Sequence, residues 1–227
     1  NACQYSDLLI CNSEQTKQDI NRHYPDTLPA TVVAHLGVEI ATPMPDELSF
    51  VPANGRPYFV VVGTIEPRKN HRLLMDLWAD FPKEIPPNEL PHLLICGARG
   101  WNNEELFFKL DTLSVMGQIV HELPDLSDGA ISALLQGATG ALFPSLAEGY
   151  GLPPMEAAAV GLPVICSDLA PIRDRLGDYA VYADPGDMYQ WIKAIDEMAA
   201  EGTSTGWKTP AKLPTWDSHF KELRALL

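Results

Sequence analysis

Positive charge is in short supply in this 227-residue chain: 16 Lys and Arg stand against 30 Asp and Glu, a formal net charge of −14. No Lys/Arg run builds the basic face that a duplex-binding protein shows, so nucleic acid is excluded as the expected partner. Cysteine is sparse as well. Cys3, Cys11, Cys96 and Cys166 show neither CxxC nor Cys/His ligand spacing, which leaves no zinc set. Three of them sit inside apolar runs (LLICN, LLICG, PVICS) and read as reduced core residues of a cytoplasmic protein. Asp-x-Asp is absent and the six histidines are scattered, so no metal site for a diphosphate is legible. No apolar stretch approaches the length of a membrane span, and no signal peptide, internal repeat or low-complexity tract stands out. The chain also opens on "NACQYSDLLICNS" without an initiating Met, which suggests a piece of something longer.

What is present is a composition able to bury a core, 46% hydrophobic with mean hydropathy −0.07. Short apolar runs alternate with helical patterns throughout. "DLLICNS" (7–13) reads as a strand, Ser13 as the cap of a helix to about Tyr24, and "ATVVAHLGV" (30–38) as a second strand. Residues 41–57 hold Pro43, Pro45, Pro52 and Pro57 and read as a linker. From there strands are predicted at Tyr58–Gly63, His92–Gly97, Gln118–Glu122, Gly140–Phe143, Pro163–Ser167 and Ala180–Tyr182. Helices are predicted at Asn70–Asp80, Asn103–Met116, Asp128–Gln136, Pro154–Val160, Pro171–Leu176 and Asp187–Ala200. Strands such as "YFVVVG" and "HLLICG" are apolar throughout, as a parallel sheet covered on both faces requires. The fold class is therefore α/β, a doubly wound, Rossmann-like parallel sheet over 58–201. Residues 202–227 follow as a polar loop and an amphipathic closing helix.

Open α/β sheets bind ligands in the loops at the carboxyl ends of their strands, and two such loops carry unusual chemistry. In "GTIEPRKNHRLL" a strand ends at Gly63, and Arg68 and Lys69 stand just ahead of a helix. Two cations there oppose the macrodipole unless an anion sits between them; a solvated pair partnered by Glu66 is the plainer reading. In "LFPSLAEGYGLPPMEAAAVG" Gly149 and Gly151 permit a sharp turn, and Pro153 and Pro154 suit a first helical turn. The N–H groups left outward belong chiefly to Gly151, Leu152 and Met155, a phosphate-sized cup. Glu156 falls in the first turn, where capping alone would explain it. Glu148 has no cation among its close sequence neighbours, so it and Glu156 are expected to accept hydrogen bonds from ligand hydroxyls. A phosphate flanked by polyhydroxylated groups is the layout of a nucleotide sugar, with Lys69 and Arg68 balancing the diphosphate.

"EGYGLPPMEA" resembles the E-x7-E signature of the large retaining glycosyltransferase family 4, whose two-domain fold is called GT-B. "GTIEPRKN", "FPSLAEGYGLPPMEAAAVGLPVICSD" and "GDYAVYADPGD" occur in that family's order. The resemblance is close over 58–200 and looser outside it. It implies the C-terminal, nucleotide-sugar-binding half of a GT-B fold, with 1–40 a remnant of the N-terminal acceptor domain. It further implies that Lys69, with Arg68 beside it, meets the distal phosphate, that Glu148 faces the donor sugar and Glu156 the ribose. The amides of Tyr150, Gly151 and Leu152 would face the diphosphate, and Leu123–Pro124 would lie by the base. Gly63, Thr64 and Gly149 belong to the same loops. Many members carry an Arg where this chain has Thr64. Arg99, in the "RGW" after the second strand, accompanies GDP-mannose use in similar members. No cofactor is implied; the donor would be a GDP- or UDP-linked hexose. The acceptor, a glycan or glycolipid, would meet the absent domain, at the inner membrane face in relatives with lipid-linked acceptors. This piece alone is then expected to bind donor and transfer little. Two rivals stand beside this reading, a non-catalytic scaffold domain and a GT-B epimerase or phosphorylase, which shares the layout; a glycosidase using the two carboxylates is disfavoured, because a hydrolase has no need of the cation-rich loop opposite.

Overall fold

A computed structural model describes residues 2–25, 28–52, 55–81, 89–201 and 213–225. After a single turn, α1 (Ala2–Tyr5), strand β1 (Leu8–Cys11) leads into α2 (Glu14–His23) and β2 (Ala30–Val33). β1 and β2 pair in parallel as a two-stranded sheet of their own. Ser13 caps α2, its hydroxyl accepting from the Thr16 amide at 3.1 Å, as its place before a helical run predicts. The second strand is shorter than expected. Beyond Val33 the chain keeps one more bond, from Ala34 N–H to the Cys11 carbonyl, then leaves to cross the glycine-rich loop described below.

Residues 41–52 hold only one 3-10 turn, Pro45–Glu47, among the described elements, and they lie against the sheet domain. Met44 donates to the Gly129 carbonyl and Phe50 stacks on His121 at 3.8 Å.

The main sheet takes β3 (Tyr58–Val62), β4 (His92–Cys96), β5 (Val120–Leu123), β6 (Gly140–Phe143), β7 (Val164–Cys166) and β8 (Val181–Tyr182). Their order is β5-β4-β3-β6-β7-β8, with every pairing parallel. The crossovers are α3 (His71–Asp80), α4 (Glu104–Thr112), α5 (Asp128–Gly137), α6 (Leu152–Ala159) and α7 (Ala170–Leu176); α8 (Met188–Glu201) follows β8. Strand parity divides the core. Phe59, Val61, Leu93, Ile95, Leu142 and Ile165 face α3, α4 and α8 with Trp78 and Trp191. Tyr58, Val60, Leu94, Cys96, Ala141, Phe143 and Cys166 face α5, α6 and α7. Two covered faces are why the central strands β3, β6 and β7 are apolar throughout.

The differences from the sequence reading are local. Helix α4 stops at Thr112, not Met116. Leu113 turns extended, and the Val115 carbonyl collects the amides of Gln118, Ile119 and Val120 so that Val115 and Ile119 reach the core. Helix α6 begins at Leu152, two residues early, because prolines at its second and third positions lack only N–H groups that have no partner there anyway. The loop expected at 202–214 lies outside the described residues except for its last two. α9 (Trp216–Arg224) starts with a capping box between Thr215 and Ser218. It docks on the first segment: His219 Nδ1 lies 3.1 Å from the His35 carbonyl, and Val38 donates to the Pro214 carbonyl.

Candidate functional site

Sheet order reverses between β3 and β6, the two central strands that lead in opposite directions, and a ligand crevice forms at such a point. The loop after β3 makes a 3-10 turn at Pro67–Lys69, then Asn70 in the left-handed region (φ 53°) redirects the chain into α3. The loops after β3 and β4 are zipped together: Ile65 donates to the Ala98 carbonyl and Gly100 to the Ile65 carbonyl. A side chain at Gly97 would stand 2.2 Å from the Gly63 carbonyl oxygen, so only glycine allows this approach. Gly151, at φ 92°, caps α6.

These loops bring Arg68, Lys69 and Glu148 together. Lys69 Nζ lies 2.6 Å from Glu148 Oε1, and Arg68 lies 3.0 Å from Glu148 Oε2. Ser145 donates to Oε1 at 2.9 Å. Arg68 also pairs with the buried Glu66 at 2.6 Å, the partner that the plainer sequence reading gave it. The Lys69 and Glu148 side chains are 10% and 8% exposed. Glu148, which has no cation among its close sequence neighbours, thus takes two from a distant loop. Lys69 and Arg68 are 79 and 80 residues away in sequence, and the β3–β6 pairing closes that distance. Ser145, missed in the sequence, was signalled only by its place three residues before Glu148.

A cup of about 560 Å³ opens here, lined by Asn12, Arg68, Lys69, Glu148, Gly149, Tyr150, Gly151, Leu152 and Pro153. Beside it a cavity of about 400 Å³ is lined by Glu156, Asp128, Ser132, Glu39 and Val62 among others. A third, of about 220 Å³, holds Gly63, Thr64, Gly97, Leu123 and Pro124 and shares Val62 and Ile131 with the second. The N-terminus of α6 stands between Glu148 and Glu156. The Glu156 carboxylate has no hydrogen-bond or ion-pair partner among the described residues. Burial, with Asp128 adding to it, pushes its carboxyl above the usual range.

Arg99 is not among the residues lining these cavities. Its guanidinium binds both oxygens of Glu122 at 2.8 Å and Asp111 at 2.7 Å and lies over the Phe107 ring. Its place after β4 suggested a donor contact, but the zipped Ile65–Arg99 backbone turns it toward β5 and α4. His71 is 1% exposed with both ring nitrogens unpartnered among the described residues. Burial and the nearby Lys69 charge push it down to about 4. Cys96 and Cys166 are buried free thiols pushed up to about 12 by burial, so neither is a reactive thiolate. Among the described residues no group of three His, Cys, Asp or Glu is arranged to hold a metal. Nor is any described helix long and apolar enough to cross a membrane.

A doubly wound sheet with a cup at its switch point, set against a helix N-terminus, defines an α/β domain of the doubly wound class. The chain matches the glycosyl transferases group 1 family over residues 47–212 and belongs to it. It is 30% identical over 212 residues to the serotype-specific mannosyltransferase WbdA of Escherichia coli, which covers 87% of this chain and 26% of that protein. It is 34% identical over 131 residues to the O-antigen chain mannosyltransferase B of Escherichia coli, covering 58% and 34%. The chain thus spans about a quarter to a third of these relatives. Among solved structures, Anabaena Alr3699/HepE in complex with UDP and glucose superposes with TM-score 0.77 at 16% identity, covering 99% of this chain and 64% of that one. WaaG, a glycosyltransferase involved in lipopolysaccharide biosynthesis, superposes with TM-score 0.65 at 20% identity, covering 85% and 53%. The architecture is that of GT-B glycosyltransferases.

Proposed function

We propose that this chain is the donor-binding half of a retaining hexosyltransferase that takes a nucleoside-diphosphate hexose, with GDP-mannose as the first candidate. The observation that carries the reading is the Lys69–Glu148 pair, 2.6 Å apart and nearly buried, set in one cup with the N-terminus of α6. The diphosphate lies between the Lys69 ammonium and the Gly151–Leu152 amides. The ribose hydroxyls donate to the unpartnered Glu156 carboxylate, and the base enters the slot walled by Gly63, Thr64 and Leu123–Pro124. Glu148 orients the sugar. As the bond from the sugar's anomeric carbon to the phosphate oxygen breaks, the electron pair stays on the diphosphate, the anomeric carbon bonds to the acceptor's hydroxyl oxygen, and the hydroxyl proton passes to the departing diphosphate. Lys69, Arg68 and the helix terminus stabilise that charge. The mannosyltransferase names of the relatives support the sugar. The acceptor, a glycan or glycolipid, meets parts of the protein beyond these residues, so this piece alone binds donor and transfers little.

Calorimetric titration of GDP, UDP and ADP into the chain tests this. At least one diphosphate should bind with Kd below about 1 mM, and Lys69→Ala should weaken it at least tenfold, about 1.4 kcal/mol. Silence from all three at millimolar concentration would sink the reading.

A further inference from the structure

The first forty residues do more than adjoin the sheet domain, because they grip the turn that shapes the cup. The Ser13 hydroxyl donates to the Gly149 carbonyl at 2.8 Å. The Tyr150 hydroxyl donates to the Leu36 carbonyl at 2.7 Å, and the His35 and Tyr150 rings stack with centroids 6.2 Å apart. Between these fixings stands Asn12, the one residue of this segment in the cup lining. Its carboxamide oxygen accepts from the Thr16 hydroxyl at 3.0 Å. That bond leaves the amide nitrogen as the free end, and the nitrogen is 3.9 Å from where a Cβ on Gly149 would stand. An amide nitrogen donates only. Across the same cup, Glu148 can only accept while ionised.

Resting on the donor reading above, we propose that Asn12 is a specificity-determining residue for the transferred sugar, its amide donating to a sugar hydroxyl oxygen while Glu148 accepts from a hydroxyl hydrogen. A hydroxyl both donates and accepts, and a wall with one donor and one acceptor selects the sugar whose neighbouring hydroxyls reach both. The nucleoside lies on the far side of the α6 N-terminus, by Glu156, so Asn12 does not touch it. The phosphates do not need it, since Lys69 and the α6 amides take them.

The test separates this from the donor reading. GDP, UDP, GDP-mannose and UDP-glucose are titrated into the parent chain, Asn12→Ala and Asn12→Asp, with thermal melts to show that each variant is folded. Asn12→Asp keeps the acceptor for Thr16 and exchanges the donor for an acceptor, so a loss shared by both variants reports the lost donor. The expected result is an unchanged Kd for the parent's nucleoside diphosphate and at least a tenfold weaker Kd for its sugar conjugate in both variants. Equal weakening of diphosphate and conjugate, or no change in either, overturns the assignment to the sugar. Failure of the parent chain to bind any of the four overturns the donor reading itself and the Asn12 assignment with it.

Discussion

Lys69→Met leaves Glu148 in a pocket where its side chain is 8% exposed, with Ser145 and Arg68 as its remaining donors. Removing one partner of a buried pair costs about 3–5 kcal/mol when the other charge is stranded. Two of three donors stay, so about 2–3 kcal/mol is expected. Glu148→Gln strands the Lys69 ammonium, which pairs with no other carboxylate among the described residues, and should cost about 3 kcal/mol by the same reasoning. If the pair acts as a unit, the double variant removes both charges at once and strands neither. It should then cost about 3 kcal/mol rather than the sum of the two singles, a coupling of about 2–3 kcal/mol. Urea unfolding followed by circular dichroism measures all three. For a domain of this size each kcal/mol moves Tm by about 2–4 °C, so melts provide a second reading. Arg72→Met is the control. Arg72 and its partner Glu105 are 54% and 68% exposed, solvent screens the pair, and its loss should cost well under 1 kcal/mol. Additivity of Lys69→Met and Glu148→Gln within about 0.5 kcal/mol would refute the coupled buried pair.

Three further outcomes follow from the same geometry. Burial holds the Glu156 carboxyl above its ordinary range, and only the ionised form accepts from two hydroxyls. Nucleotide affinity should therefore fall as pH drops through that raised value, and Glu156→Gln should flatten the calorimetric pH profile; an unchanged profile counts against the ribose assignment. His71 is held neutral, pushed down to about 4 from 6.5. Its stabilising contribution is thus full above pH 6.5 and is lost as pH falls toward 4, an interval worth roughly 3 kcal/mol. His71→Phe should shift the acid-unfolding midpoint downward, and an identical acid limb would show that the buried ring is not what titrates. Gly151→Ala forces a side chain onto φ 92° and places its Cβ 2.9 Å from Ile172 Cγ1. It should cost about 1–3 kcal/mol in urea unfolding and at least tenfold in diphosphate affinity, whereas a parent-like variant would place the anion elsewhere.

The sheet was legible because its signal is local. "YFVVV" and the "LLIC" of β4 are continuous apolar runs, the pattern of a strand covered on both faces. Helix ends set by chain-entry geometry were not legible. Nothing in "KLDTLSVMG" announces that Val115 and Ile119 would be drawn into the core and end α4 early. The cup loops were found from Gly151, the double proline and the Arg-Lys pair, all within a few residues of one another. The partners of Glu148 escaped because they arrive from a loop 79 residues away, and a sequence window sees only neighbours. The partners of Arg99 were hidden in the same way. Its position along the chain was right for the crevice, but Glu122 and Asp111 offered a charge-assisted fork that its guanidinium fits. The contribution of Asn12 and Ser13 was invisible too, since it depends on the first segment folding back onto Gly149.

The charge balance of the cup bears on what it can bind. Arg68 and Lys69 are matched by Glu66 and Glu148, two positive against two negative, in a chain of net charge −14. A diphosphate entering this site cannot simply add to unpaired cations, as it would at a basic patch; it must take Lys69 from Glu148. The released carboxylate then stays in a nearly dry pocket and needs new donors, because a buried anion with too few hydrogen bonds is costly. Ser145 and Arg68 supply part of that, and sugar hydroxyls supply the rest. A nucleoside diphosphate without its sugar leaves Glu148 short of donors. The conjugate should therefore bind more tightly than the bare diphosphate even though it carries no more negative charge. Most anion sites favour the more highly charged ligand; here the reverse order is expected, and the comparison of GDP with GDP-mannose at one pH and one salt concentration decides it. Tighter binding of bare GDP would mean that Glu148 keeps Lys69 when the ligand arrives, and that the phosphates are held by the α6 amides alone.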